Sequence, residues 1–419
     1  MGGGAAQAES GPPDEAAGSD VTLDRKFMTG DWGGTRSELE AKGIKLRAHH
    51  IAESAANPVG GLRQGATYTE QVDVGADLDL DKLAGLGGAK LHATITQRAG
   101  QSLSAVAIGS NISVQEIYGA GQNIRLAQLS WEQSLLQGRV TAKLGWLHAS
   151  DDFVNAPIYC YFMNNGFCGQ IAIVVNSGFT IFPTGSWGGM VKVGLSDETY
   201  IQSGAYTVNP TFAYPANGFD LSPSGVIGVI VPTQIGWQPH VGPGGLPGHY
   251  RIGGYYDTSS ASYLGAPLSG PPATAQGRWG FYLQGEQMLF RTVPGTDQGL
   301  TAFGVLAYGA PQTALLQYIW QAGLLLRGTF AGRDRDTIGL AVDQGRVSNL
   351  LVGQQTYANA LAPGTVGVQS AETTIELNYR AQVTPWFSLM PNLQYVIRPN
   401  GLATIPNALV LGLQVKLTF

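Results

Sequence analysis

Large apolar residues alternate one for one with small or polar residues along much of this chain. In Ala408–Phe419, ALVLGLQVKLTF, positions Leu409, Leu411, Leu413, Val415, Leu417 and Phe419 are apolar. The intervening Ala408, Val410, Gly412, Gln414, Lys416 and Thr418 are small or polar. A period of two predicts a β-strand with one oily and one wet face. The same text recurs in Gln71–Leu80, Lys90–Arg98, Arg139–Leu147 and Thr374–Val383, with the charged members on one face of each. A soluble sandwich turns its oily face inward; a wide barrel turns it outward to lipid and keeps the polar face on water. Periodicity alone fits both. At roughly 20–25 residues per strand and connection the chain has room for about sixteen strands, within the range of membrane barrels and large for one sandwich.

Turn chemistry supports the barrel. Gln137-Gly138 and Val383-Thr384-Pro385 mark tight connections. Between them lie long stretches rich in Pro, Gly, Asn and Ser: Ser150–Ser186, Asn209–Gly248, Asp257–Gln276 and Arg346–Gln369. Short turns alternating with long loops are an outer-membrane barrel's asymmetry. Aromatic residues gather at strand ends (Trp279, Phe281, Tyr282, Phe290, Tyr308, Tyr318, Trp320, Trp386, Phe387, Tyr395), as expected of girdles at a membrane boundary. Near the start, Thr35 and Glu38 have capping-box spacing and Gly43 suits a helix C-terminus, so a short helix is predicted over Arg36–Lys42. It is too short to stand alone and should pack at the periplasmic mouth. The organisation expected is a leader remnant and disordered segment over 1–29, a helical segment over 30–43 and a barrel over 44–419. Ala6-Gln7-Ala8 has the form of a cleavage site.

Composition narrows this further. Charged residues are 13% of the 419, against about 25% in soluble proteins, so much of the surface does not face water. No apolar run approaches the ~18 residues of a membrane-spanning helix, and a closed barrel is the other structure that satisfies its backbone in lipid. A formal net charge of −5 argues against a nucleic-acid partner. Cys160 and Cys168 are the chain's two cysteines; the periplasm is oxidising and the enclosed loop short, so a disulfide is expected.

Enzyme signatures are missing. His49 and His50 are adjacent and so point to opposite strand faces, and no HExxH, GxSxG, P-loop or CxxC spacing occurs. Asp334 and Asp336, set among Arg333 and Arg335, read as a solvated turn rather than an acid–base pair. No metal or cofactor is implied. Alternation instead places Asp73, Asp77, Arg98, Lys143, Glu286, Glu376 and Arg380 on wet faces. A sugar needs charged or amide groups around its hydroxyls and an aromatic surface for its C–H face. The stretch Ser150–Ser186, with Tyr159, Tyr161, Phe162, Asn164, Asn165 and Phe167, offers both if it folds into the pore.

GDWGGTRSELEAKGI at Gly30–Ile44, and TYTEQVDVGADLDLDKLAGLGGAKLHATITQRAGQSLS at Thr67–Ser104, resemble the carbohydrate-selective porins of the OprB family. The resemblance covers about Gly30 to Phe419 and is loose in the middle third. It implies an outer-membrane barrel of about sixteen strands, with a charged, narrowed lumen, that passes sugars by diffusion. The terminal Phe looks like that group's assembly signal. Arg98 and Ser102-Leu103-Ser104 align with a family Arg-Gly-Ser-Leu-type segment. Small sugars and outer-membrane lipid are the expected partners, as a monomer or homo-oligomer. The competing readings are a general barrel, a polysaccharide exporter, a barrel enzyme and a soluble sugar-binding protein.

Overall fold

The computed structural model describes residues 25–419 other than 120, 170, 243, 270–272 and 365. The cleavage-site reading and the acidic segment up to Asp24 lie outside the described residues.

Sixteen long antiparallel strands form one closed sheet among the described residues, and a two-residue strand, His240–Val241, pairs with Leu246 and Pro247 at its rim. They are β1 (Ile44–Val59), β2 (Gly65–Asp79), β3 (Ala89–Gly100), β4 (Ile124–Leu135), β5 (Val140–Leu147), β6 (Ser186–Gly194), β7 (Thr199–Val208) and β8 (Gly228–Trp237). Then come β9 (Leu246–Ser262), β10 (Thr274–Arg291), β11 (Gly299–Gly309), β12 (Leu316–Arg327), β13 (Thr337–Val347), β14 (Ala371–Thr384), β15 (Phe387–Ile397) and β16 (Ala408–Thr418). Each pairs with its sequence neighbours, and β16 returns to β1 from His49↔Thr418 to Val59↔Leu409. Closure leaves no strand edge to satisfy.

The outward faces are oily. Val74, Leu144, Ile252, Leu306 and Leu411 are all more than half exposed there. Aromatic rings band both rims. Trp279, Phe281 and Tyr318 surround Tyr308 at 5.0–5.9 Å near one rim, and Trp237–Tyr250 and Trp386–Phe387 pair near the other. Tyr282 does not join them. It points inward, buried, and donates to Gln234 Oε1.

The sequence expectation missed one strand. Asn209–Gly248 reads as irregular, yet it contains β8, whose exposure alternates strictly. Pro232 is the reason: proline has no N–H to give a ladder and demotes a strand assignment. The β7–β8 ladder skips the positions opposite Pro232 and Val231, running to Ser203↔Thr233 and resuming at Tyr206↔Ile230. Asp257–Gln276 likewise holds the end of β9 and the start of β10.

Both described chain ends lie at the rim with the short turns. The helix α1 (Thr35–Ala41) is there, but Thr35 does not cap it. Asp31 Oδ1 instead accepts from Ser37 N at 2.9 Å and Ser37 Oγ at 2.8 Å. Gly43 follows the helix at φ +97°, a left-handed position suited to glycine. The helix is fixed by Arg36, 3% exposed, which donates to Leu46 O and Phe419 O and stacks 3.3 Å from the Phe27 ring centre. It thereby ties the first strand to the last at the closing seam. Asp336 is not solvated: it is buried and accepts from Arg333, Tyr379 and Gln382 N, clamping its turn to β14.

Candidate permeation site

Two loops from the opposite rim fold into the lumen. Residues 101–123 place Leu103, Ala107, Ile108 and Val114 against inward Ala55, Met390, Val396, Ala408 and Val410. Residues 148–185 form a second core. Phe153, Tyr159, Phe162, Phe167 and Ile173 pack on inward Tyr206, Tyr282, Phe303, Val305, Ile319 and Ala341. Each large side chain buried in this way contributes about 1.5–3 kcal/mol. Phe303, Val305, Ile319, Leu325 and Ala341 thus give β11 to β13 a largely apolar inner face beneath the loop, interrupted by the buried Gln321 and Asp343.

Carboxylates on the wall dock these loops. Glu376 accepts from Met163 N and Asn164 N, both at 2.8 Å, and from Asn378 and Asn392 side chains at 2.9 and 2.6 Å. Glu372 accepts from Asn111 N and Ile112 N at 2.9 Å. Asp257 accepts from Gly178 N at 2.7 Å. Elsewhere Gln321 donates to Gly166 O, Gln394 to Val114 O, and Gln115 to Glu53 O. A disulfide joins Cys160 to Cys168 at the tip of the larger loop. The loops also touch each other through Asn165 N and Ser113 O at 2.8 Å.

Between loops and wall lies a cavity of about 260 Å³. Arg98, Arg380 and Lys416 face it from the strands, and Glu116, Asp151, Asn155, Asn165 and Phe182 from the loops, with Gln71 and Gln414 between. Arg98 gives Nε to Gln71 Oε1 at 2.8 Å and Nη1 to Gly119 O at 3.1 Å, which leaves three of its five N–H groups for other use. Its guanidinium lies 5.9 Å from the Phe182 ring. Arg380 donates to Cys160 O at 2.9 Å and Gln414 Oε1 at 3.2 Å, 4.8 Å from the Tyr161 ring. Burial pushes the Glu116 carboxyl above the ordinary glutamate range, and Arg98, Lys416 and Arg380 offset this only partly. For Asp151 burial also pushes upward, but the His148 ring and Lys143 outweigh it and hold the carboxyl below its usual range.

A charged belt lines the lumen on the turn side. Arg47 pairs with Asp77 at 2.8 Å, Asp77 with His92 at 2.8 Å, and Lys143 with Asp152 at 2.6 Å, with Glu132 3.8 Å from both His92 and Lys143. Across the barrel Arg251 meets Glu286 at 3.3 Å.

The nine residues singled out from sequence thus separate. Arg98, Arg380 and Asn165 meet at the cavity. Asp77, Lys143 and Glu286 sit in the belt, and Asp73 accepts from Gln71 at 2.7 Å and Thr96 at 2.8 Å. Glu376 and Asn164 point inward but are fully buried beneath the loop, their polar atoms engaged by protein. Glu116, Asp151, Lys416, Gln71, Gln414 and Phe182 were missed. Alternation already put Lys416, Gln414 and Gln71 on wet faces; loop residues Glu116, Asp151 and Phe182 carry no such signal.

Comparison with known proteins gives one consistent answer. A family profile described as "Carbohydrate-selective porin, OprB family" matches residues 63–419. Porin B of Pseudomonas aeruginosa is 33% identical over 417 residues, covering 94% of this chain and 91% of that one. The high-pH structure of Pseudomonas putida OprB superposes with a TM-score of 0.90 at 33% identity, over 96% of this chain and all of that one. Its low-pH structure gives 0.62 at 27% identity, over 94% and 99%.

Proposed function

This chain belongs to the OprB family of carbohydrate-selective porins, and from that premise we propose that the cavity between the infolded loops and the barrel wall is its sugar filter. The protein is an outer-membrane porin that passes mono- and small oligosaccharides by passive diffusion. It works as a channel and carries out no chemical step.

The observation that carries the filter reading is the cavity's mixture of donors and acceptors. Three cations stand against two carboxylates and four amides, with one aromatic ring beside them. Mixed charge leaves a weak net field, whereas a single sign would select ions. At about 260 Å³ the space is below the ~300–1,000 Å³ typical of drug-sized ligand pockets, which suits one small solute at a time. A neutral sugar entering it exchanges water for Arg98, Arg380, Lys416, Glu116 and the amides. Each exchange swaps one hydrogen-bond partner for another at small net gain. Phe182 supplies a surface for the sugar's C–H face. Binding stays weak enough for release, as conduction requires.

Liposome swelling tests this reading. Vesicles holding the purified protein should swell faster in monosaccharides than in zwitterionic amino acids of similar size. Equal rates for both would make the pore a general one.

A further inference from the structure

We propose that Arg346 and Arg398 hold a phosphate group of outer-leaflet lipopolysaccharide against the outer wall at the start of β14. Arg346 is exposed, and it is the one guanidinium or ammonium on an outward strand face among the described residues. Alternation along β13 fixes its direction. Gly345 and Val347 on either side are buried, and Leu340, on the same face as Arg346, is about half exposed to the outside. Across the ladders Arg346 lies opposite Tyr318 and Ala371. Arg398, also exposed, comes to the same place from the end of β15, with Nη1 3.5 Å from Oγ of Ser370, the residue before Ala371. Two guanidinium groups thus converge on the first residues of β14.

No carboxylate balances them. Arg346 has no hydrogen-bond or ion-pair partner among the described residues. The bordering loops, 310–315, 348–370 and 398–407, contain no Asp or Glu. The neighbouring Glu372 points inward and is buried, its oxygens taken by Asn111 N, Ile112 N and Asn400 N. Two cations so placed repel each other unless an anion comes between them. Their level in the wall says which anion. Tyr318 and, two residues deeper, Trp320 belong to the aromatic band that marks the edge of the hydrocarbon. Deeper still the wall is apolar, with Leu340, Ile375 and Leu377 each 40–48% exposed. A ligand that suits both parts carries an anion at the boundary and hydrocarbon below it. This rim is the one from which the long loops fold in, so it faces the outer leaflet. The lipid of that leaflet, lipopolysaccharide, bears phosphates on the sugars from which its acyl chains hang. Guanidinium groups match phosphate oxygens with paired hydrogen bonds, and an acyl chain of the same molecule covers Leu340, Ile375 and Leu377.

The test is native mass spectrometry of the full, detergent-folded chain titrated with bis-phosphorylated lipid A, and with the same lipid stripped of its phosphates. The wild-type protein should retain the phosphorylated lipid at concentrations where the stripped one is lost. Arg346→Gln combined with Arg398→Gln should need about tenfold more lipid A for the same occupancy, as expected for the loss of charged hydrogen bonds. Heat-modifiable migration should show that this variant is folded. Arg139→Gln, exposed at a turn of the opposite rim, should bind as the wild type does. Equal retention of phosphorylated and stripped lipid by the wild type would overturn the proposal, and so would unchanged binding by the folded double variant. Displacement of lipid A by an equal concentration of inorganic phosphate would show a free-anion site and overturn the lipid as its occupant.

Discussion

Replacing Glu376 by alanine should free the larger loop without unfolding the barrel. Glu376 is fully buried and receives Met163 N and Asn164 N at 2.8 Å. The alanine variant leaves those two N–H groups unpaired while the loop is docked. Each orphaned buried donor costs about 1–3 kcal/mol, so docking weakens by about 2–6 kcal/mol, toward the low end if water enters the vacated space. At 1.4 kcal/mol per tenfold, that is roughly thirtyfold to more than 10⁴-fold toward the released loop. Opposing release are Gln321 on Gly166 O, Asn378 on Tyr161 O and the packing of Phe162 and Phe167 on Phe303. The variant should therefore alternate between docked and open loops rather than hold one state. Planar-bilayer recordings should show a higher mean conductance with frequent steps between two levels, and Glu376→Gln, which keeps one acceptor oxygen, a smaller change. A folded Glu376→Ala barrel with wild-type conductance and noise would refute the docking role.

The disulfide acts on the same loop. Cys160→Ser with Cys168→Ser removes a cross-link that the chain-entropy relation values at about 2.5 kcal/mol for so short a segment, and should raise open-channel noise with the barrel's gel-monitored melting unchanged. Arg36→Ala should do the reverse. It loses two charged hydrogen bonds at the seam, about 1.5–3 kcal/mol each before solvent reduces them, so the denaturation temperature in detergent should fall while conductance holds. For pH, Glu116 is held above the ordinary glutamate range, so on acidification it loses its charge before an ordinary glutamate would. Arg98, Arg380 and Lys416 are then opposed in the cavity by Asp151 alone, which is held below its usual range and stays charged, and reversal potentials in a salt gradient should move toward anion selectivity above the pH where ordinary glutamates titrate. Glu116→Gln should remove that step.

The barrel was legible because lipid outside and water inside impose a period of two, and Leu409 to Phe419 display it without interruption. β8 was not, because Pro232 masks a strand whose remaining residues alternate. The lumen was half legible. Alternation tells which side chains point inward, as with Glu376 and Arg98, but not whether they meet solute or a loop. That difference depends on contacts between residues some two hundred positions apart, such as Glu376 with Met163. One trace of it was present: most inward positions of β11 and β12 (Phe303, Val305, Ala307, Ile319 and Leu325) are apolar, where a wet lumen favours polar side chains. Glu116 could not be found by pattern, since its loop follows neither period.

Titration of the single-channel current with a monosaccharide tests the central claim most directly. A filter built of protein-engaged but partly free donors should bind sugar in the millimolar range, about 4 kcal/mol. The ion current should fall and saturate as sugar is added. In Arg98→Ala the half-blocking concentration should rise, by a factor of about twelve to more than a hundred for a charged hydrogen bond of about 1.5–3 kcal/mol, and by less where water screens the site. A current unchanged by saturating sugar in the wild-type protein would contradict the assignment of this cavity as a sugar filter.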